Sequence, residues 1–370
     1  MTIDSTTKAF FRDQLYAWAE ANLRPLPWKN EPDPYLIWLS EIILQQTRVE
    51  QGAPYYEKFK SRFPTVHDLA RAPEDEVLKL WQGLGYYSRA RNLHQTAQYI
   101  VREHGGNFPV TYEQIRALKG VGSYTAAAIA SFAFQMPYAV LDGNVSRVLS
   151  RFFGIATPID SQSGKQLFQE LATQLLDQRS PGKFNQRIMD FGATHCMPKQ
   201  PRCGNCPMQS QCVAFATQQT QNLPVKHKKL KKTTRHFHYL ILQCQEETII
   251  RKRTGEDIWR HLFEFPLVEF SAAGATFQEI QTKASSLQAI LQPDNLVRAQ
   301  LAGSAKQQLT HQTILASFWE LEIRQIEPEL LPADLICINW KNLDKFAFPR
   351  IIDWYLKDNS LNLFSQLQVN

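Results

Sequence analysis

Two domains of different class are predicted from this chain: a helical region through about residue 215 and a mixed α/β region from about residue 235. Three observations carry that division. Apolar residues recur at three- and four-residue intervals across the first half. Four cysteines, Cys196, Cys203, Cys206 and Cys212, crowd into one short segment at its end. Beyond a polar, basic stretch the texture changes to short β-branched and aromatic runs.

The helical spacing is clearest in Phe10–Trp18, Tyr35–Leu44, Val77–Trp81, Ala90–Ile100 and Ile188–Phe191. The cysteine segment contains Pro198, Pro201, Gly204 and Pro207, so it cannot continue a helix and must bend around something. Residues 216–234 read as a linker, with Asn222-Leu223-Pro224 followed by Lys226, Lys228, Lys229, Lys231, Lys232 and, just beyond, Arg235. A solvated charge run is the plain reading; contact with a phosphate backbone is the sharper one. In residues 235–370, His236–Leu242 and Ile314–Leu321 read as strands and Phe277–Leu291 as a helix between them. The sequence therefore divides into 1–215, 216–234 and 235–370.

At 370 residues the chain can bury two substantial cores. It has no run of 18 apolar residues, so no membrane span is expected, and Met1–Lys8 lacks an apolar signal core. Clustered cysteines suit a reducing compartment better than a disulfide framework, so a cytoplasmic protein is expected. Cys244 and Cys337 lie in apolar runs and read as inert core thiols. The net charge of +6 permits a polyanionic partner without requiring one.

Three local patterns point to chemistry. The cysteines are spaced Cys-x6-Cys-x2-Cys-x5-Cys. Four thiolates suit tetrahedral zinc or a cubane iron–sulfur cluster, and the long first gap favours [4Fe–4S] over paired zinc knuckles. Gly83-Leu84-Gly85 and Gly120-Val121-Gly122 each precede an alanine-containing helix start. Such a turn leaves backbone amides open to a phosphate at a helix N-terminus, although it also serves as a simple helix–helix turn. Asp142 lies between Leu141 and Gly143 ahead of a helix bearing Arg147 and Arg151, where it can cap the helix or project into a cleft. Glu41 sits among Leu36, Ile37, Leu39, Ile42, Ile43 and Leu44; burial there should raise its pKa and let it hold a proton near neutrality.

The hairpin Leu118-Lys119-Gly120-Val121-Gly122, the segment Leu141-Asp142-Gly143-Asn144-Val145 and the cysteine loop occur in the order and spacing of helix-hairpin-helix DNA glycosylases with an iron–sulfur cluster, across about residues 8 to 215. Within them, Trp38-Leu39-Ser40-Glu41-Ile42-Ile43-Leu44-Gln45-Gln46-Thr47-Arg48-Val49 and Arg24-Pro25-Leu26-Pro27-Trp28-Lys29 resemble the MutY-type adenine glycosylases, with Pro25 where an acidic residue is common. Gly255–Pro266 resembles that family's Trp-x-x-x-x-Glu-Phe-Pro segment, which implies a Nudix-like second domain. The carboxylate-rich Nudix box is absent, which argues for recognition rather than pyrophosphate hydrolysis.

The resemblance implies a multidomain chain, with a helix-hairpin-helix glycosylase fold and iron–sulfur loop followed by a Nudix-like α/β domain. It implies excision of adenine mispaired with 8-oxoguanine or guanine in double-stranded DNA, by a monomer. Glu41 would be the general acid and Asp142 the ionised partner, supported by Tyr124 and Asn144. Arg24, Leu26, Trp28, Thr47 and Asp190 would contact the substrate, Gly120 and Gly122 the backbone, and Gln46 and Tyr86 would wedge into the duplex. Leu309-Thr310-His311 resembles a lesion-reading Phe-Ser-His loop, with Leu for Phe and Thr for Ser. Tyr124 stands where bifunctional relatives carry a Schiff-base lysine, and Lys119 lies before the glycines, so a monofunctional enzyme is expected. The alternatives are a thymine or uracil mismatch glycosylase on the same scaffold, and a redox-sensing DNA-binding protein without excision.

Overall fold

The structure is a computed structural model that describes residues 2–227 and 232–365; Lys228, Lys229 and Lys231 of the basic stretch lie outside them. In chain order the helices are α1 (Ser5–Ala21), α2 (Pro34–Leu44), α3 (Val49–Arg62), α4 (Val66–Arg71), α5 (Glu74–Leu80), α6 (Ser88–His104), α7 (Tyr112–Ala117), α8 (Ser123–Phe134), α9 (Gly143–Phe153), α10 (Gln162–Leu175), α11 (Pro181–Thr194), α12 (Val213–Ala216), α13 (Phe277–Lys283) and α14 (Arg350–Ser365). The strands are β1 (Thr233–Gln243), β2 (Glu247–Lys252), β3 (Phe263–Glu264), β4 (Leu267–Phe270), β5 (Leu296–Gln308), β6 (Gln312–Ile323) and β7 (Leu335–Asn339). Packing divides the chain into two units, residues 1–71 with 92–229 and residues 72–91 with 230–370. Residues 72–91, read from sequence as part of the helical region, thus group with the C-terminal unit.

The first unit is helical because its apolar residues form stripes and its helix starts are capped. Asp4, Asp33, Thr111, Asp142 and Ser161 each accept a bond from a backbone amide in the first turn that follows. Phe11 and Leu15 of α1, Phe168, Leu171 and Leu175 of α10, and Phe184 and Phe191 of α11 close around Val145, Val148, Leu149 and Phe152 of α9. Each such side chain contributes on the order of 1.5–3 kcal/mol by leaving water. Cys196, Cys206 and Cys212 pack at the edge of this core. The cysteine segment forms only short 3-10 turns at Cys203–Asn205 and Gln209–Gln211, as its prolines demand.

The second unit holds two sheets, of order β4-β1-β6-β5 and β3-β2-β7. Strands β1 and β6 are parallel from Thr233↔Gln312 to Gln243↔Glu322; the other pairings are antiparallel. Both predicted strands fall inside β1 and β6. The expected helix Phe277–Leu291 stops at Lys283 and continues as a 3-10 turn at Ser285–Leu287, since serines at 285 and 286 offer the backbone competing hydrogen bonds. Glu264 is fully buried and pairs with Arg251 at 2.9 Å and Arg253 at 2.5 Å, so this carboxylate serves as an internal anchor.

Candidate active site

Helix α2 is buried from Tyr35 through Ile43, on every face, so Glu41 has no solvated side to turn toward. It is 6% exposed. Helix α8 packs on α2; its Ala126 through Ala130, all buried, allow a close approach that brings Tyr124 toward Glu41. Burial pushes the Glu41 carboxyl up to about 7, the Tyr124 hydroxyl draws it partly back, and the charge of Asp142 adds to the rise. Tyr124 donates directly to Met189 Sδ at 3.3 Å, and burial beside two carboxylates holds its own ionisation well above the ordinary range.

Asp142 is the N-cap of α9. Its Oδ1 accepts from the Val145 amide at 2.7 Å and its Oδ2 from Asn144 Nδ2 at 2.7 Å. The two sequence alternatives for Asp142, cap or cleft carboxylate, are therefore compatible. Burial raises its pKa, while the Val145 amide and Asn144 favour the charged form and oppose that rise. Asn144 is held in turn: Arg147 Nη2 donates to its Oδ1 at 2.9 Å. The same guanidinium donates to the Gly192 carbonyl at 2.6 Å and, through Nε, to the Cys196 carbonyl at 2.8 Å. Arg151, one turn further on, donates to Cys196 Sγ at 3.4 Å and to the carbonyls of Met197 and Pro198 at 2.7 and 3.1 Å. Sequence reading placed both arginines on this helix without assigning them these partners.

The four thiols lie near enough to influence one another electrostatically, and each is partly buried. Among the described residues no three His, Cys, Asp or Glu side chains gather as for a single metal ion. A cubane cluster needs a wider cage than one tetrahedral ion, because each thiolate meets a different iron. Four cysteines around one bend, with Arg151 donating to one sulfur, fit a cluster in donor type and number.

A cavity of about 1150 Å³ opens beside Glu41. Arg24, Leu26, Trp28, Lys29 and Asp190 line it; Asp142, Tyr124, Gln46 and Thr47 do not. It is large enough to admit a nucleobase with its sugar, with room to spare. Asp190 is buried and meets Lys29 at 2.7 Å, Gln186 at 3.3 Å and Arg24 at 3.5 Å. Lys29, missed as a site residue, is the close partner there. Trp28 packs edge-on against Tyr56, with ring centroids 5.5 Å apart. Gln46 is exposed and left-handed at φ 55°, and Gln45 beside it donates to Thr125 at 3.2 Å. Thr47 donates to the Gln45 carbonyl at 3.4 Å.

The two glycine turns differ. Gly120 is left-handed at φ 82°, where a side chain would be strained, and a Cβ would also press on Asn92 at 3.0 Å; Gly122 at φ −88° is the N-cap of α8. In the other turn Gly83, Gly85 and then Tyr86 are all left-handed, at φ 99°, 76° and 50°. The second copy leads directly into a helix, with Gly122 immediately before Ser123. Lys119 donates to Gln95 at 2.6 Å.

In the second unit, Leu309 N donates to the Gln312 carbonyl at 2.8 Å and closes a tight turn on Thr310 and His311, both exposed. The hydroxyls of Tyr86 and Thr310 meet in a hydrogen bond.

Fold and site together define a base excision repair protein of the helix-hairpin-helix class with a Nudix-like second domain. Residues 39–174 match the HhH-GPD superfamily base excision DNA repair proteins, and residues 238–358 match the NUDIX domain. The chain is 37% identical over 257 residues to the adenine DNA glycosylase of Buchnera aphidicola subsp. Schizaphis graminum, covering 69% of this chain and 74% of that protein. It is 44% identical over 214 residues to the adenine DNA glycosylase of Mus musculus, covering 55% and 42%. Among solved structures, a thermostable thymine-DNA glycosylase aligns with a TM-score of 0.54 at 29% identity, covering 58% of this chain and all of that one. A non-covalent Endonuclease III–DNA complex shares the fold with a TM-score of 0.51 at 19% identity, covering 59% of this chain and 99% of that one. The chain belongs to the adenine DNA glycosylase family.

Proposed function

We propose that this protein hydrolyses the N-glycosidic bond of adenine mispaired with 8-oxoguanine or guanine in duplex DNA. The observation that carries the reading is the buried pair Glu41 and Asp142: burial raises both, and at Asp142 an amide and a carboxamide oppose the rise. Asp142 has an amide and a carboxamide donating to it, whereas Glu41 has only the Tyr124 hydroxyl to favour its anion. Glu41, pushed up to about 7 by burial, is the group placed to hold a proton near neutrality.

The chemistry follows from that asymmetry. Breaking an N-glycosidic bond builds oxocarbenium character on the sugar, as in glycoside hydrolysis. Adenine is a poor leaving group until protonated, and Glu41 at the cavity wall donates that proton to its imidazole edge. Asp142 stays ionised and stabilises the positive sugar; water then adds at the anomeric carbon, and its proton passes to the Glu41 carboxylate left by the first step. Adenine reaches the cavity by flipping out of the stack, with Gln46 and Tyr86 filling the duplex behind it. Arg24, Leu26, Trp28 and Asp190 receive it; Thr47, outside the cavity lining, contacts the substrate beyond it, and Gly120 and Gly122 hold the strand.

Tyr124 offers no amine and the Lys119 amine is bonded to Gln95, which supports a monofunctional hydrolase. Thr310 and His311 at an exposed turn, with Tyr86 bonded to Thr310, support reading of the base opposite adenine. Cys196, Cys203, Cys206 and Cys212 would hold a [4Fe–4S] cluster; when bound it cross-links the loop, while excision is the work of the chain's own side chains. The test is single-turnover excision from duplexes carrying adenine opposite 8-oxoguanine, adenine opposite guanine, and thymine opposite guanine. Adenine release from the first two supports the proposal; thymine release without adenine release overturns it in favour of a thymine mismatch enzyme.

A further inference from the structure

Tyr86 lies in the N-terminal half of the sequence, yet its segment packs as part of the C-terminal unit. The polar contacts that seat the segment run along α5 and the turn after it. Glu74 meets His261 Nδ1 at 2.5 Å, and Asp75 accepts from Lys252 Nζ at 2.5 Å. Lys79 Nζ donates to the Phe346 carbonyl at 2.9 Å. Gln82 Nε2 donates to Asp353 Oδ1 at 2.9 Å, and Arg91 Nη1 to the Arg260 carbonyl at 2.7 Å. Every partner comes from residues 252–353.

The connection from this seat to Tyr86 is stiff. Three left-handed residues, Gly83, Gly85 and Tyr86, turn the chain sharply at the end of α5. For a tyrosine that conformation costs roughly 1–3 kcal/mol and persists only where surrounding contacts over-determine it. They do so here. Leu84 N donates to the Trp81 carbonyl at 3.1 Å. Trp81 Nε1 and Arg89 Nη2 both donate to the Gly85 carbonyl, at 3.0 and 3.1 Å. Arg89 is itself buried, with its guanidinium 5.0 Å from the Trp81 ring and 5.9 Å from the Tyr86 ring. The Tyr86 ring remains 44% exposed while its hydroxyl meets Thr310. A displacement of α5 on its seat is therefore carried to Tyr86 rather than absorbed by the turn.

We propose that Lys79 and Gln82 are positioning residues for the strand opposite the excised base: they seat α5 on the unit that carries Thr310, so that Tyr86 and Thr310 face that strand as one surface. The assignment rests on the reading that Thr310 faces the lesion. Glu41 and Asp142 belong to the other unit, and the influence assigned to Lys79 and Gln82 is on discrimination and not on bond cleavage. Discrimination between 8-oxoguanine and guanine thus depends on the hydrogen bond between Gln82 and Asp353.

The test is a double-mutant cycle on the full-length protein. Gln82→Ala should reduce the ratio of single-turnover rates on 8-oxoguanine:adenine over guanine:adenine by about 3- to 10-fold, the size of one lost hydrogen bond. Asp353→Ala, which removes the acceptor of the same hydrogen bond, should lower the ratio to a similar extent. In a Tyr86→Ala background the Gln82→Ala change should cost nothing further, because the two act as one unit. An equal loss in both backgrounds, or an unchanged ratio in Gln82→Ala alone, overturns the assignment. A parent protein with no preference between the two duplexes overturns the reading of Thr310 instead. Hydrogen exchange of residues 83–91 without DNA then decides the seat separately: faster exchange in Lys79→Ala/Gln82→Ala supports it, and unchanged exchange refutes it.

Discussion

Arg147 donates to the Asn144 side-chain carbonyl at 2.9 Å, and Asn144 donates to Asp142 at 2.7 Å. Through its Nε the same guanidinium holds the Cys196 carbonyl at 2.8 Å. The carboxylate assigned to the sugar and the start of the cysteine loop are thus two ends of one hydrogen-bonded chain.

Disturbing the middle of that chain should slow excision without preventing duplex binding. Arg147→Lys keeps the charge but loses the planar fork that serves several acceptors at once. Gly192→Ala attacks the same point sterically, since an added Cβ would lie 2.8 Å from Asn144 Cβ and 2.9 Å from its carbonyl oxygen. Both variants should lose about 10-fold or more in single-turnover rate, the cost of a displaced buried hydrogen bond of about 1.5 kcal/mol. Full activity in both would show that Asp142 needs no such support.

Glu41→Gln keeps the shape of the acid and removes its proton. Positioned general acids contribute about 10²–10⁴-fold, and the loss here should be at least that large because neutral adenine leaves poorly. Affinity for the mispaired duplex, measured at one salt concentration, should survive. Near-normal excision by this variant would remove Glu41 from the reaction.

The elevated Glu41 pKa has two signatures. Excision needs the protonated acid, so the single-turnover rate should fall as pH rises through about 7. Stability moves in the same direction. The folded state binds this proton more tightly than the unfolded chain, so stability falls as pH climbs from about 4.5 to about 7. Glu41→Gln, free of that linkage, should be the more stable protein above pH 7, by roughly 3 kcal/mol at most. Urea unfolding at pH 5 and pH 8 measures both gaps, and equal gaps at the two pH values would contradict the elevated pKa.

The cluster assignment predicts brown protein with about four iron atoms per chain. Cys203→Ser should weaken folding or DNA affinity while leaving Glu41 and Asp142 in place. Colourless, active protein with stoichiometric zinc would reassign the site.

A monofunctional enzyme should give little covalent adduct when borohydride is added during turnover on a mispaired duplex. Efficient trapping would reveal a lysine nucleophile, and Lys119 would be tested first by substitution.

What the sequence disclosed was what neighbouring residues decide. Strands β1 and β6 were legible from their own aromatic and aliphatic runs, and burial of Glu41 from the apolar surroundings of α2. Three features depended on distant residues and were not legible. The anchoring role of Glu264 needs Arg251 on β2 and Arg253 just past its end, both more than ten positions away. The reach of Arg147 to Gly192 and Cys196 spans 45 and 49 positions. The allegiance of residues 72–91 is the third: an amphipathic stripe announces that a helix buries one face without naming what covers it.

That last feature bears on how such a protein can change over generations. A basic linker invites the view that the C-terminal half is a cassette, exchangeable by recombination at residues 216–234. The contacts of α5 argue otherwise. A chimera made there would inherit Lys79 without the Phe346 carbonyl and Gln82 without Asp353. Substitutions in residues 72–91 and in residues 252–353 should therefore be inherited as compensating sets, and the natural unit of exchange is the C-terminal half together with the short helix encoded some 150 codons before it.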